Sequence, residues 1–375
     1  MGFSFQSTFL CTALALSYEA SAWTIPSVSR SSRWSTKLHA VAGDQNVVLA
    51  PSEEASSFDS LKVGTACVHR YSREEDPEGG TEYVMWYHGR SKELDAEFDN
   101  KLPPLTTGRI GRATSRNGLV WEKDTVGSAS EDIEGVSLGL NKEEWWGFDT
   151  THVGLGSVLL PMTTPAVLNE GGVYIMYFMG GNHDESSLAD LVNTELPDSM
   201  RDRTMKGINM KIGVAVSQDG ITFGKVEGDD PTGACVVPYS KNDPNKETVP
   251  RDFPEEIYVG WPNVVVNPDG PKAEGFVMYY SSMTKDSKEK CIVRAVSEEG
   301  FRWKKTGVVL KPDAEGFDSE GCARSSKSPC RLAFSLLTPV LSQARPLMST
   351  SCCPKCRIQP TNRKVAKHKG LDNVL

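Results

Sequence analysis

KIGVAVSQDGITF, residues 211–223, is the stretch whose reading decides the fold. Ile212, Val214 and Val216 alternate with Gly213, Ala215 and Ser217, the period-two pattern of a half-buried strand. Gln218-Asp219-Gly220 comes next, and Asp-Gly is a strong turn signal because glycine takes a positive φ at no steric cost. The chain resumes with Ile221 and Phe223, so the stretch reads as a β-hairpin. Two sister copies occur: RIGRATSRNGLVW at 109–121 and CIVRAVSEEGFRW at 291–303. All three hold Ile, Ala, Ser and Gly in register and end on an aromatic, Trp121, Phe223 or Trp303.

Working outward, an aromatic and β-branched run with a central Met precedes each hairpin: YVMWY at 83–87, YIMYF at 174–178 and FVMYY at 276–280. Such runs suit buried strands. Before these stand FDSLKVGTACV from Phe58, FDTTHVGLGSV from Phe148 and FPEEIYVGWPNVV from Phe253, and a fourth start, FDSEGCARSSKSPC, begins at Phe317. Each unit therefore reads as strand, strand and hairpin, which makes four antiparallel strands. Repeats of this size predict an all-β protein, a β-propeller of four-stranded blades. A lone sheet cannot bury both faces, so neighbouring blades must stack.

The expected organisation is a presequence over 1–45, a propeller over 46–330 with three full blades and the start of a fourth, and a basic disordered tail over 331–375. After Pro329 neither the Met-centred strand nor the hairpin returns, and SCCPKCRIQPTNRKVAKHKG is basic and Pro-interrupted. Three blades fall below the number at which propellers close, so either further strands that the repeat does not disclose complete the ring or, the favoured expectation, the chain is a truncated product. The presequence reading rests on TFLCTALALS at 8–17, an apolar run too short to span a bilayer, then Ala20-Ser21-Ala22 and an acid-free, Ser-rich stretch with Arg30, Arg33 and Lys37. It resembles the bipartite presequence of algae with secondary plastids, with Trp23 where most have phenylalanine. The plastid is the expected destination, with secretion as the alternative.

Net charge is −8, but ten Lys and Arg stand against one acid from Cys322 onward, which leaves −17 for residues 1–321. That acidic body argues against nucleic acid as a partner, and no other segment could cross a membrane. Cys67, Cys235 and Cys291 read as buried thiols. Cys352, Cys353, Cys356 and His368 lack the spacing of a zinc site, so neither metal nor cofactor is expected.

The order Phe-Asp, Tyr-x-Met-Tyr-Tyr and Ile-Gly-x-Ala-x-Ser-x-Asp-Gly resembles the five-bladed β-propeller glycoside hydrolases, the superfamily of arabinanases, levansucrases and invertases, over about residues 58–330. The resemblance implies glycosidic chemistry at the propeller axis and a carbohydrate partner. It implies an Asp, Asp, Glu set from successive blades, matched here by Asp59 as base, Asp149 as orienting carboxylate and Glu255 or Glu256 as acid, with separation setting inversion or retention. At the strand positions where that family commonly places its carboxylates, this chain has Thr65-Ala66, Gly156-Ser157 and Trp261-Pro262. The other reading of Phe-Asp is a turn whose Phe plugs the core. That reading is favoured for Asp59, and both stand for Asp149, which Trp145, Trp146 and His152 flank. These three, with Trp261, are the candidate sugar-binding residues, since aromatic planes beside acids suit a sugar's apolar face and hydroxyls. The alternative function is a non-catalytic carbohydrate-binding or interaction propeller. Asn242-Asp243-Pro244-Asn245 and Arg251-Asp252 mimic invertase motifs but fall in one polar loop, and Asn182-His183-Asp184 reads as a surface insertion.

Overall fold

The computed structural model describes residues 47–72, 80–92, 108–126, 133–160, 173–191, 198–243, 249–267, 270–313, 315–316, 318 and 321–322. The expected presequence, the tail, Phe317 and the Cys352 cluster lie outside the described residues.

Each repeat folds as one antiparallel sheet. The first holds β1 (Lys62–Ser72), β2 (Thr81–Arg90), β3 (Gly108–Ser115) and β4 (Glu122–Lys123) in sequence order, with β5 (Val136–Leu138) pairing along β3. The second holds β6 (His152–Leu159) and β7 (Tyr174–Gly181). It then takes an excursion of β8 (Ser186–Ser187), the short helices α1 (Leu188–Leu191) and α2 (Asp198–Arg201), and β9 (Thr204–Met205), and returns with β10 (Lys211–Ser217) and β11 (Gly224–Val226). The third is β12 (Glu256–Val266), β13 (Phe276–Thr284), β14 (Lys290–Ser297) and β15 (Lys304–Leu310).

The sheets stack in chain order. β6 packs on β1, β2 and β3, while β12 packs on β6, β7 and β10. The Met-centred runs supply the layers between them. Trp86 and Val84 meet Met176, Phe178 and Phe223 between the first and second sheets, and Tyr177 meets Met278, Tyr280 and Trp303 between the second and third. Consecutive four-stranded sheets stacked face to face are the blades of a β-propeller.

The first strands of neighbouring blades are in direct contact. A Cβ on Gly156 of β6 would lie 2.4 Å from the Pro262 carbonyl oxygen of β12, so only glycine fits there. His69 donates from Nε2 to the Val158 carbonyl across the first gap at 2.9 Å, and Val264 N donates to Ser157 Oγ across the second at 3.1 Å. Each first strand carries a bulge at this level, at Thr65, Gly156 and Trp261-Pro262.

The hairpins differ from a two-residue Asp-Gly turn. Six residues, 218–223, separate β10 from β11. Gly118, Gly220 and Gly300 do take positive φ, at 73°, 71° and 89°. The repeated serine fastens each turn from within, where Oγ of Ser115, Ser217 and Ser297 accepts the N–H of that glycine at 2.8–2.9 Å. Asn117 and Asp219 each accept two further backbone N–H groups, which closes the wider loop.

Candidate functional site

The Phe-Asp phrase lies as a strap across its own blade. Asp59 sits over β2, where a Cβ on Gly89 would meet the Asp59 Cβ at 2.6 Å, and Phe58 sits over Gly111 of β3. The second blade repeats this with Asp149 over Gly180 and Phe148 over Gly213. The glycine of Ile-Gly-x-Ala thus makes room for a ring. Phe58, Phe148 and Phe253 are all buried, as the turn-and-plug reading expects.

Each strap acid ends on a lysine of the fourth strand in its own blade. Lys123 Nζ lies 2.5 Å from Asp59 Oδ2 and also donates to the Ala50 carbonyl and Ser52 Oγ. Lys225 Nζ lies 2.6 Å from Asp149 Oδ2. Lys305 Nζ lies 2.6 Å from Glu256 Oε2, with both side chains 1% exposed. Each ammonium also stands 5.8–6.0 Å from an aromatic centroid, that of Tyr87, Phe178 or Phe253, near the outer limit of cation–π attraction. Sequence reasoning missed these lysines. Their signal is plain once the phrase is read two residues further: Trp121-x-Lys123, Phe223-x-Lys225 and Trp303-x-Lys305.

Asp59 and Glu256 take further hydrogen bonds, whereas Asp149 Oδ2 meets Lys225 as a charge contact without hydrogen-bond geometry. Asp59 accepts from Tyr87 Oη at 3.0 Å and Ser57 Oγ at 2.8 Å. Burial pushes its carboxyl up, but the hydrogen bonds from Lys123, Ser52 and Ser57 and the lysine charge outweigh it and hold the group below the ordinary range. Burial and the neighbouring Asp59 charge raise the Tyr87 phenol. Glu256 accepts from Tyr280 Oη at 3.0 Å and Tyr239 N at 2.9 Å. Glu255 differs: it is half-buried and accepts from Lys241 N at 3.0 Å and Ser240 Oγ at 3.2 Å, which hold its carboxyl low. The structure therefore places Asp59, Asp149 and Glu256 at equivalent points of three blades and gives each a lysine of its own sheet.

The aromatic candidates fall in two places. Trp145 and Trp146 stand on the connection into the second blade, 85% and 48% exposed, edge to face at 5.9 Å. Trp261 stands on the β12 bulge with φ of 50°, an uncommon conformation for a bulky residue. Its ring meets Tyr258 edge-on at 6.3 Å and packs, half-buried, against Met179, Met210 and Met283. Its backbone N–H points at Met179 Sδ, 3.4 Å away. His152 is fully buried at the start of β6. With a carbonyl as its partner, Nε2 is the donor, to Gly207 at 2.8 Å, and this ties the 182–210 excursion to the blade. Burial, helped by the charges of Arg90 and Arg109, lowers this imidazole to about 4. No group of metal-ligating side chains is present among the described residues, and no helix among them is long and apolar enough to cross a membrane.

No family model matches the chain, and no curated protein matches it. Similar solved structures exist. One is a putative glycosidase from Bacteroides thetaiotaomicron, 15% identical, TM-score 0.40, over 73% of this chain and 62% of that one. Another is a glycosyl hydrolase from Bacteroides ovatus, 14% identical, TM-score 0.36, over 74% and 62%. A third is fructan 1-exohydrolase IIa from Cichorium intybus in complex with 1-kestose, 11% identical, TM-score 0.35, over 68% and 33%. The chain spans less than two thirds of the length of each. The fold is a β-propeller. That statement stands on the stacked blades themselves, and neither a substrate nor a site is carried over from structures so distant.

Proposed function

We propose that this propeller binds a carbohydrate beside the strands nearest its axis, with Trp261 as the platform, and that Asp59, Asp149 and Glu256 fasten blades rather than transfer protons. The observation that carries the reading is the Trp261 bulge. A large ring held in a left-handed backbone conformation, half-exposed on a first strand and backed by Tyr258 and three methionines, is costly to keep for packing alone. Its apolar face suits the C–H face of a sugar ring. The lysine partners support the second half of the proposal. A general base needs a carboxylate oxygen free to take the substrate proton, whereas the Asp59 oxygens are taken up by Lys123, Tyr87 and Ser57. A second reading is hydrolysis with Glu255 as base, in place of the acid that the resemblance implies, because its half-exposed carboxylate is held ionised by backbone and hydroxyl donors. Plastid targeting by residues 1–45 belongs to the same proposal, and a reporter fused to that segment tests it: retention in the cytosol overturns targeting.

Calorimetry with arabino-, xylo-, fructo- and manno-oligosaccharides tests the binding function. One or more sugars should bind the full chain, and Trp261→Ala should weaken that binding at least about tenfold while leaving the melting curve in place. No binding across the panel overturns the proposal. An aryl-glycoside assay separates the two readings. Turnover lost on Glu255→Gln establishes the hydrolase, and turnover lost on Asp149→Asn with stability intact overturns the fastening role.

A further inference from the structure

Two cysteines meet at one edge of the third sheet. Cys291 is the second residue of β14 and packs with Val293 and Ala295 in the core shared with the second blade. β15 follows the outer edge of β14 as far as Leu310, which stands opposite Ile292. Further along, that edge is taken by a later part of the chain. Cys322 donates its N–H to the Lys290 carbonyl at 2.9 Å. The carbonyl before it, that of Glu289, accepts from Thr284 N on the β13 side at 3.0 Å. Carbonyls alternate between the two edges of a strand, so the Lys290 carbonyl points to the edge that β15 has left.

The side-chain directions agree. A Cβ on Gly321 would lie 2.9 Å from Lys290 Cβ, so Gly321 faces the Lys290 side chain, at a φ of 131° that glycine takes at no steric cost. Successive residues of an extended chain face opposite ways. Lys290 and Gly321 share one face, and Cys291 and Cys322 share the other. Both cysteines are buried there, and Cys322 Sγ donates to Asp318 Oδ2 at 3.3 Å. A hydrogen bond to the residue before Cys291 brings the two cysteine Cα atoms to about 6 Å, within the span of a disulfide. Burial, then Glu256, pushes the Cys291 thiol up to about 12, and the Cys322 thiol is close enough to add to the rise. The other described thiols, Cys67 and Cys235, lie in the first and second blades.

We propose that Cys291 and Cys322 form an oxidation site, a disulfide that staples the chain after the third blade onto β14. The Cys322 thiolate attacks one sulfur of a small-molecule disulfide and expels one thiolate. The Cys291 thiolate then attacks the Cys322 sulfur of the mixed disulfide and expels the second. The protein loses two protons and two electrons, and the oxidant is reduced to two thiols. The Cys291 thiol is almost wholly protonated at neutral pH, so the second attack is slow there and quickens in alkali. The bond closes a loop that contains β15 and holds that outer strand to its sheet. The proposal does not depend on the sugar-binding reading.

Peptide mapping of the full chain under non-reducing conditions, after incubation with oxidised glutathione at mildly alkaline pH, is the test. A peptide linked through Cys291 and Cys322 should appear, and the melting temperature should rise by about 5–10 °C over that of the reduced protein. Cys322→Ser keeps a donor for Asp318, so its reduced melting curve should match that of the reduced wild type. Oxidation should then give neither the linked peptide nor the rise. Cys235→Ser should keep both. Absence of the linked peptide from the oxidised wild type overturns the proposal. So does a bridge from Cys322 to Cys330 or to any other cysteine, or a Cys291–Cys322 bridge that leaves the melting temperature where it was.

Discussion

The first and third blades fasten their straps with the same ion pair set in different surroundings. Glu256 and Lys305 are both sealed from solvent, and their remaining valences go to Tyr239 N, Tyr280 Oη and the Val237 carbonyl. Asp59 is just as buried, but the Lys123 side chain is 26% exposed and reaches the pair from the edge of the sheet. The third blade also spaces its Phe three residues from the acid and has Ser282 and Val293 where the first has Gly89 and Gly111. A position can thus keep its role while burial and side-chain length change. The energetic weight of each pair should follow burial and not the shared geometry.

The sharpest way to break this comparison is to empty one side of the third pair. Lys305→Met leaves Glu256 buried with two neutral donors and no counter-charge. Removing one partner of a buried pair costs about 3–5 kcal/mol, and denaturant unfolding should show a loss of that size. Replacing both residues, Glu256→Met with Lys305→Met, should cost less than the single change, because no charge is then left in the core. If the double variant is the worse one, the pair contributes more than the relief of its own desolvation.

Acid separates the first blade's strap acid from the buried histidine. Unfolded His152 binds a proton near pH 6.5, while the folded imidazole resists protonation down to about 4. Between those values the unfolded chain holds more protons, so stability falls as pH drops, by roughly 3 kcal/mol across the window. His152→Asn should flatten that segment of a stability–pH curve. Asp59 acts lower. Its folded pKa is depressed below the ordinary carboxylate value, so its contribution is present above that value and is lost as pH falls through the depressed one.

These residues also show what could be read without coordinates. Strand period, the turn glycine and the threefold phrase disclosed the blades, because alternation and positive-φ positions are local properties of a chain. Asp59, Asp149 and Glu256 were visible as a repeated feature. Their partners were not, because Lys123 lies 64 residues from Asp59 and the match between them is set by how a strap crosses four strands. An acid without its partner reads equally well as a catalyst. The spacing from aromatic to lysine held the missing information in the sequence itself. The Trp261 backbone and the His152 tautomer held none of theirs there, since both follow from packing between blades.

In the first blade, Asp59→Asn keeps the shape of the side chain and the bond from Tyr87 while removing the charge opposite Lys123. Because the lysine can turn partly toward water, the cost should be about 1–3 kcal/mol, the range for leaving a buried polar group less well satisfied. Thermal unfolding measured beside Lys305→Met orders the two blades directly. Equal losses would show that exposure of the lysine does not set the strength of the pair.

The smallest effect belongs to the most conservative exchange, and it isolates space from charge. Lys123→Arg adds a planar head group at a side chain that is already 26% exposed, beside the Ala50 carbonyl and Ser52 Oγ, both of which can accept from a guanidinium. Stability should change by no more than about 0.5 kcal/mol, as for a surface position. Lys305→Arg makes the same exchange in a sealed site, where the bulkier group must displace Phe253 or the Val237 backbone, at a cost of about 1–3 kcal/mol from overpacking. The two melting curves therefore share their chemistry and differ only in room. If Lys305→Arg proves as harmless as Lys123→Arg, the third site is looser than its burial indicates, and the difference between the blades reduces to the charge pair alone.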